Sequence, residues 1–77
     1  MKRLTTAAIQ AFINDNFTLT DEIGPFIPGT EVQRLMDELM QNFDGIYCGV
    51  KPHNVAGRLF VVRSAKTLKY FAQIRVK

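Results

Sequence analysis

The fold class is decided by a change of pattern within residues 30–63, TEVQRLMDELMQNFDGIYCGVKPHNVAGRLFVVR. In the first part, apolar residues recur three and four positions apart, which is the spacing of one helix face: Val32, Leu35, Met36, Leu39, Met40 and Phe43. We predict a helix that begins at the N-cap Thr30, has a capping box completed by Gln33, and ends at Asp44. From Ile46 onward the pattern is that of strands.

Two strands are predicted after this helix. Residues 46–51 and 58–63 are rich in β-branched and aromatic residues, and residues 52–57 form the loop between them. Residues 64–77 leave two alternatives. Alternation of apolar and polar residues favours a third strand, whereas a helix capped by Ser64 also fits the spacing. For the strand, the predicted wet face consists of Lys69, Phe71, Gln73, Arg75 and Lys77.

The N-terminal part is predicted to be helical. A helix over residues 6–16 has Thr5 as a suitable N-cap. Residues 17–29 form a connection with a brief extended piece and one helical turn, which Gly24 and Pro25 end.

Together these elements predict an α+β, winged-helix-like fold, with two or three N-terminal helices packed on a small C-terminal antiparallel sheet. We expect a single domain over residues 1–77, with a helical part at 1–44 and a basic β part at 45–77. The predicted core contains Ile9, Phe12, Ile13, Leu35, Leu39, Phe43, Val61 and Ile74.

The charges divide sharply along the chain. Residues 1–44 contain three basic and seven acidic side chains, a net charge of −4, whereas residues 45–77 contain seven basic side chains and no acid, a net charge of +7. Burial does not require this separation. It therefore indicates an anionic partner for the C-terminal part.

Composition also limits the compartment. Cys48 is the single cysteine, so an internal disulfide is excluded and a reducing compartment is expected. No stretch approaches the roughly 20 apolar residues that span a bilayer, and no apolar run of a signal peptide follows the N-terminal charges. We expect a cytoplasmic protein without a membrane partner, and both monomer and homodimer remain open.

Motifs for catalysis or metal binding are weak. The sequence has no phosphate-binding Gly loop, no paired-cysteine metal motif and no nucleophile elbow. Cys48 and His53 are close enough in sequence to suggest a thiol–imidazole pair. The favoured interpretation is that Cys48 packs inward and His53 lies in a polar loop. We expect no enzyme activity, no metal and no cofactor.

The order of elements resembles that of winged helix-turn-helix domains in small phage and plasmid regulators. The resemblance covers residues 8–63, with FTLTDEI at 17–23 before the turn, residues 30–42 as the recognition helix and VAGRLFVV at 55–62 as the wing. It implies that the start of the recognition helix faces the DNA major groove through Thr30, Gln33 and Arg34.

Two classes of function follow. The first is a small nucleic-acid-binding protein, a DNA-binding regulator that uses its basic sheet and wing, with an exposed Phe71 stacking on a base. The second is a small inhibitor or adaptor of phage type that docks on an acidic protein surface. A third possibility is that the charges only solubilise the domain. The predicted nucleic-acid contacts are Gln33, Arg34, Lys51, His53, Asn54, Arg58, Lys69, Phe71, Arg75 and Lys77.

Overall fold

Helical periodicity and β-forming runs give two helices and five strands in the computed structural model, which describes residues 4–77. The elements in chain order are α1 (Thr6–Asn16), β1 (Leu19–Thr20), β2 (Pro25–Ile27), a 3-10 turn (Gly29–Glu31), α2 (Val32–Asn42), β3 (Ile46–His53), β4 (Gly57–Ser64) and β5 (Tyr70–Val76). Within the described residues, neither helix is long and apolar enough to cross a membrane.

The first helix is confirmed, and the start of the second is corrected. Thr5 caps α1, because its Oγ1 accepts a hydrogen bond from the Ala8 backbone N at 3.0 Å. The capping box predicted at Thr30 is wrong. Thr30 lies inside the 3-10 turn, so it lacks the extended conformation that a cap requires, and Gln33 Nε2 donates to Asp37 Oδ1 at 3.0 Å instead.

The predicted winged-helix-like layout is also wrong. The protein is α+β, but its sheet is mixed and five-stranded, in the order β1-β2-β5-β4-β3. Strand β2 runs parallel to β5, and the other neighbours are antiparallel. Strands and helices therefore interleave along the chain, and residues 1–44 are not purely helical.

The difference arises in residues 17–29. The helical turn predicted there is absent, because Asp21 Oδ1 accepts hydrogen bonds from the backbone N atoms of Ile23 and Gly24 and makes a tight turn. Gly24 adopts a φ of 142°, which favours glycine. Pro25 then begins β2, where a residue without an N–H is tolerated.

The strand alternative for the C-terminal segment is confirmed, but its predicted faces are partly wrong. Val62 pairs with Ala72 and Arg63 pairs with Tyr70, so Phe71 is an extra residue in a β-bulge. The bulge turns Phe71 into the core, where it is 8% exposed. Phe71 therefore cannot stack on a base in this conformation.

The core lies between both helices and one face of the sheet. Five of the predicted core residues are buried there: Ile9, Ile13, Leu35, Leu39 and Phe43. Val61 is buried too, but on the opposite face of the sheet. Phe12 and Ile74 are only half-buried and pack against the core. Phe60 and Val62 from β4 are fully buried beneath the helices.

One acidic side chain anchors the β1–β2 segment to the end of the sheet. Both Arg75 and Lys77 bind the Asp21 carboxylate, Lys77 at 2.8 Å, and Arg75 also donates to the Gly24 carbonyl at 2.9 Å. The Asp21 side chain is 18% exposed. Hydrogen bonds from Lys77 and Arg75 hold the pKa of Asp21 well below its usual value.

Replacing Leu39 tests the helix face. Leu39→Ala should lower the free energy of unfolding by about 2–5 kcal/mol, because it leaves a cavity in the core. Met40→Ala, at the exposed neighbouring position, should change it by less than about 0.5 kcal/mol. Urea unfolding followed by circular dichroism measures both. Equal losses in the two variants would show that the face is wrongly assigned.

Replacing Asp21 tests the anchor through pH. Because its pKa is lowered in the folded protein, ionised Asp21 stabilises the fold at neutral pH, and this contribution is lost as pH falls below about 4. Asp21→Asn should therefore unfold at lower urea than wild type at pH 7, with a smaller difference at pH 3. Glu22→Gln is the control at the neighbouring exposed carboxylate and should unfold at about the same urea concentration as wild type at pH 7. If Asp21→Asn and wild type differed in urea unfolding by the same amount at pH 7 and pH 3, the stabilising role of ionised Asp21 would be contradicted.

Candidate functional site

Both helices pack on one face of the sheet, and in the described residues the other face is covered only by its own side chains. Paired residues point to the same side of a sheet, so the Tyr47–Arg63 and Arg63–Tyr70 pairs place three side chains in one row on that second face. We call it the open face. Its strand positions include Leu19, Phe26, Tyr47, Gly49, Lys51, Leu59, Val61, Arg63, Tyr70, Gln73 and Arg75.

Each aromatic ring of the open face is paired with a cation. The Arg63 guanidinium carbon lies 4.5 Å from the centre of the Tyr47 ring, and Lys51 Nζ lies 5.0 Å from the centre of the Tyr70 ring. These distances are within the range of cation–π attraction. The two tyrosines remain 53% and 41% exposed, so the pairing leaves much of each ring accessible.

The side chains of the open face lie along the sheet. Lys51 belongs to β3 and reaches Tyr70 on β5, so its side chain crosses over β4. Val61, at the centre of β4, is only 6% exposed although no helix covers it. The Tyr47 ring lies next to Gly49, since a Cβ at that position would be 3.5 Å from the ring. The open face is therefore a shallow surface formed by aromatic rings and by the aliphatic parts of long side chains.

The open face has two electrostatically different parts. Around Phe26, the single Asp21 carboxylate forms ion pairs with both Arg75 and Lys77, whose cations lie 5.7 and 5.0 Å from the ring centre. In the other part, no carboxylate of residues 4–77 forms an ion pair with Lys51 or Arg63. We call Tyr47, Lys51, Arg63 and Tyr70 the aromatic–basic cluster.

The turn between β4 and β5 adds two lysines beside this cluster. Ser64 Oγ accepts hydrogen bonds from the backbone N atoms of Lys66 and Thr67, both at 3.2 Å. The Ser64 backbone N donates to the Lys69 carbonyl at 2.9 Å and closes the turn. Lys66 and Lys69 are therefore held exposed at the end of the sheet where the tyrosines lie.

The predicted contact residues of the C-terminal part do not form one patch. His53, Asn54 and Arg58 surround the β3–β4 turn, whereas Lys69 lies at the opposite end of β4, roughly 23 Å away. His53 Nδ1 accepts hydrogen bonds from the turn at 3.0 and 3.2 Å. Arg58 points away from the open face, since its Nη2 would lie 3.5 Å from a Cβ at Gly29.

The two predicted contacts on α2 are bound to acidic neighbours. Arg34 forms ion pairs with Glu31 at 2.7 Å and Glu38 at 3.2 Å, and its guanidinium lies 4.5 Å from the centre of the Phe17 ring. Gln33 is bound to Asp37. Phosphate contacts from this helix would have to replace these interactions in an acidic setting.

Sequence reasoning missed three members of the aromatic–basic cluster: Tyr47, Arg63 and Tyr70. Alternation within residues 46–51 and 58–63 contained a signal, since it places Tyr47 on the same face as Lys51. Tyr70 had no such signal. The bulge at Phe71 reverses the alternation there, and bulges leave no mark in a single sequence.

Cys48 and His53 do not form a thiol–imidazole pair. Cys48 lies on the core side of β3, whereas His53 is exposed at the strand's far end. Burial raises the pKa of the Cys48 thiol to about 11. Among residues 4–77, no cluster of three or more His, Cys, Asp or Glu side chains could hold a metal ion.

The raised pKa predicts an unreactive thiol. Relative to its usual pKa of 9.0, Cys48 in the folded protein should have about 100-fold less thiolate at pH 8. Alkylation by iodoacetamide should be slower by at least that factor than in urea, as measured by mass spectrometry. His53→Ala should leave the rate unchanged. Alkylation as fast as in urea would contradict the burial of Cys48.

Comparisons with known proteins assign no family to this chain. No family model, no curated protein and no solved structure matches it. The chemistry of the open face is therefore the basis for a functional assignment.

Proposed function

We propose that this protein binds nucleic acid through the open face, with the aromatic–basic cluster at the centre of the contact. The observation that carries the proposal is that exposed aromatic rings and cations without carboxylate partners occupy the same uncovered surface. Cations bind phosphates without reading sequence, and aromatic rings bind the flat faces of bases. The cluster combines both groups on adjacent strands.

Electrostatics favours an approach from the open face. The opposite layer of the protein contains α2 and the 3-10 turn before it, whose exposed or partly exposed residues include Glu31, Asp37 and Glu38. These carboxylates repel phosphates, whereas Lys51, Arg63 and the turn lysines attract them. Apart from Asp21 and Arg58, the charge division along the sequence thus corresponds to a division between two layers. This supports binding through the sheet rather than through a recognition helix.

An acidic protein surface is the alternative partner. Leu19 and Ile23 are exposed near β1, next to the Asp21 anchor, and such apolar side chains favour protein contact. An inhibitor or adaptor would use the same basic residues to dock. Such a protein would not bind nucleic acid at physiological salt.

A pair of matched variants tests the proposal. Arg63→Gln and Arg34→Gln remove the same charge, one from the cluster and one from α2. Titrating a labelled oligonucleotide and following fluorescence anisotropy should show weaker binding for Arg63→Gln and unchanged binding for Arg34→Gln. If Arg63 contacts a phosphate, its loss should reduce the slope of log K against log salt by about 0.7–0.9.

The control for acidic repulsion is the double variant Asp37→Ala with Glu38→Ala, which should leave binding unchanged or tighter. Circular dichroism confirms that each variant is folded. The proposal is overturned if wild type binds no oligonucleotide at low salt. It is also overturned if Gln33→Ala or Arg34→Gln abolishes binding while Arg63→Gln does not, since contact would then occur through α2.

A further inference from the structure

We infer that the ligand of the open face is single-stranded nucleic acid, and that Tyr47 and Tyr70 are its two base-stacking positions. This inference rests on the proposed function and makes it specific. Its starting point is the row Tyr47–Arg63–Tyr70, which crosses three neighbouring strands. Both rings are partly exposed, and Arg63 lies between them in the row, with its guanidinium 4.5 Å from the centre of the Tyr47 ring.

The width of the sheet argues against a duplex. The major groove of B-DNA is roughly 12 Å wide and admits a helix or a two-stranded ribbon. Strands β1 and β3 form the two edges of the five-stranded sheet, so these two strands lie roughly 19 Å apart. The sheet face cannot enter the groove, and a duplex would touch it only through phosphates. The tyrosine rings would then contact no base.

The chemistry of the row suits separated bases. The ring faces of bases are accessible for stacking only where the strand is unpaired. Tyr47 and Tyr70 lie on the two strands that flank β4, so their Cα atoms are roughly 10 Å apart. Arg63 stands between them and donates from Nη1 to the Ser64 carbonyl at 3.1 Å, which fixes its guanidinium. A strand that crosses β4 thus meets a ring, a cation and a second ring.

Cations also flank the row on two sides. Lys66 and Lys69 lie beyond it at the β4–β5 turn, and the Lys51 ammonium reaches Tyr70 from the other side. Phosphates on either side of a stacked base therefore find a positive charge. Gly49 lies beside the Tyr47 ring and has no side chain that would project from the open face there. A backbone following the row is not obstructed at that position.

Intrinsic fluorescence offers a direct test, because the chain contains two tyrosines and no tryptophan. Adding an unlabelled 12-nucleotide single strand should quench tyrosine emission, whereas inorganic polyphosphate should bind the cations without quenching. Tyr47→Phe and Tyr70→Phe should each retain affinity and quenching of the remaining tyrosine. Tyr47→Ala and Tyr70→Ala should each weaken binding by about 5-fold to about 150-fold, the loss of one stacked base.

The matched comparison uses the same oligonucleotide as a duplex, at the same salt. The single strand should bind at least 10-fold more tightly, and Leu68→Ala, at an exposed apolar position in the adjacent turn, should behave as wild type. Two results would overturn this inference but leave the proposed function standing. The first is equal binding of the duplex and the single strand. The second is unchanged binding in both Tyr→Ala variants while Arg63→Gln weakens binding. Absence of any nucleic-acid binding at low salt would overturn both.

Discussion

Burial of one sheet face beneath two helices is the constraint on which the other features of this protein depend. Phe60 and Val62 on β4 are completely covered, and burying a side chain of this kind contributes roughly 1.5–3 kcal/mol. Both helices lie on one side of the sheet, so residues 4–77 supply no third layer for the other side. The side chains of the second face must therefore cover the apolar centre of that face themselves. Val61 at this centre is only 6% exposed, the long Lys51 side chain crosses β4, and the neighbouring tyrosine rings form the candidate binding surface.

The charges follow the same two-layer plan. Acidic residues on α2 bind Arg34 and Gln33, while Lys51 and Arg63 stay near aromatic rings on the sheet. Arg58 and Asp21 are exceptions. Arg58 belongs to the basic part of the sequence but points away from the open face, and Asp21 comes from the acidic part but lies at the basic sheet. Asp21 fastens β1 and β2 to β5 and forms ion pairs with two cations there. The positive potential of the open face is thereby concentrated at β3, β4 and the first half of β5.

Local patterns were sufficient for the helices and the longer strands, but not for β2 or for the strand pairing. Helical spacing predicted α1 and α2, and β-forming runs predicted β3 and β4, because these signals arise from neighbours along the chain. Strand β2 is only three residues long and depends on a parallel partner some fifty positions later, which no local propensity encodes. For the candidate site, the basic composition indicated the C-terminal part of the chain, which contains the aromatic–basic cluster. Because of the bulge at Phe71, the alternation predicted an exposed Phe71 and an inward-facing Tyr70, whereas Phe71 is buried and Tyr70 lies on the open face.

The central claim is that the open face, and not α2, receives the ligand. Its most direct test is the map of backbone amide shifts in a ¹⁵N-labelled sample titrated with a short single-stranded oligonucleotide. Binding through the open face should give the largest shifts at Tyr47, Arg63 and Tyr70 and in the β4–β5 turn, with little change across α2. Shifts concentrated at Gln33 and Arg34, with the sheet unaffected, would contradict it.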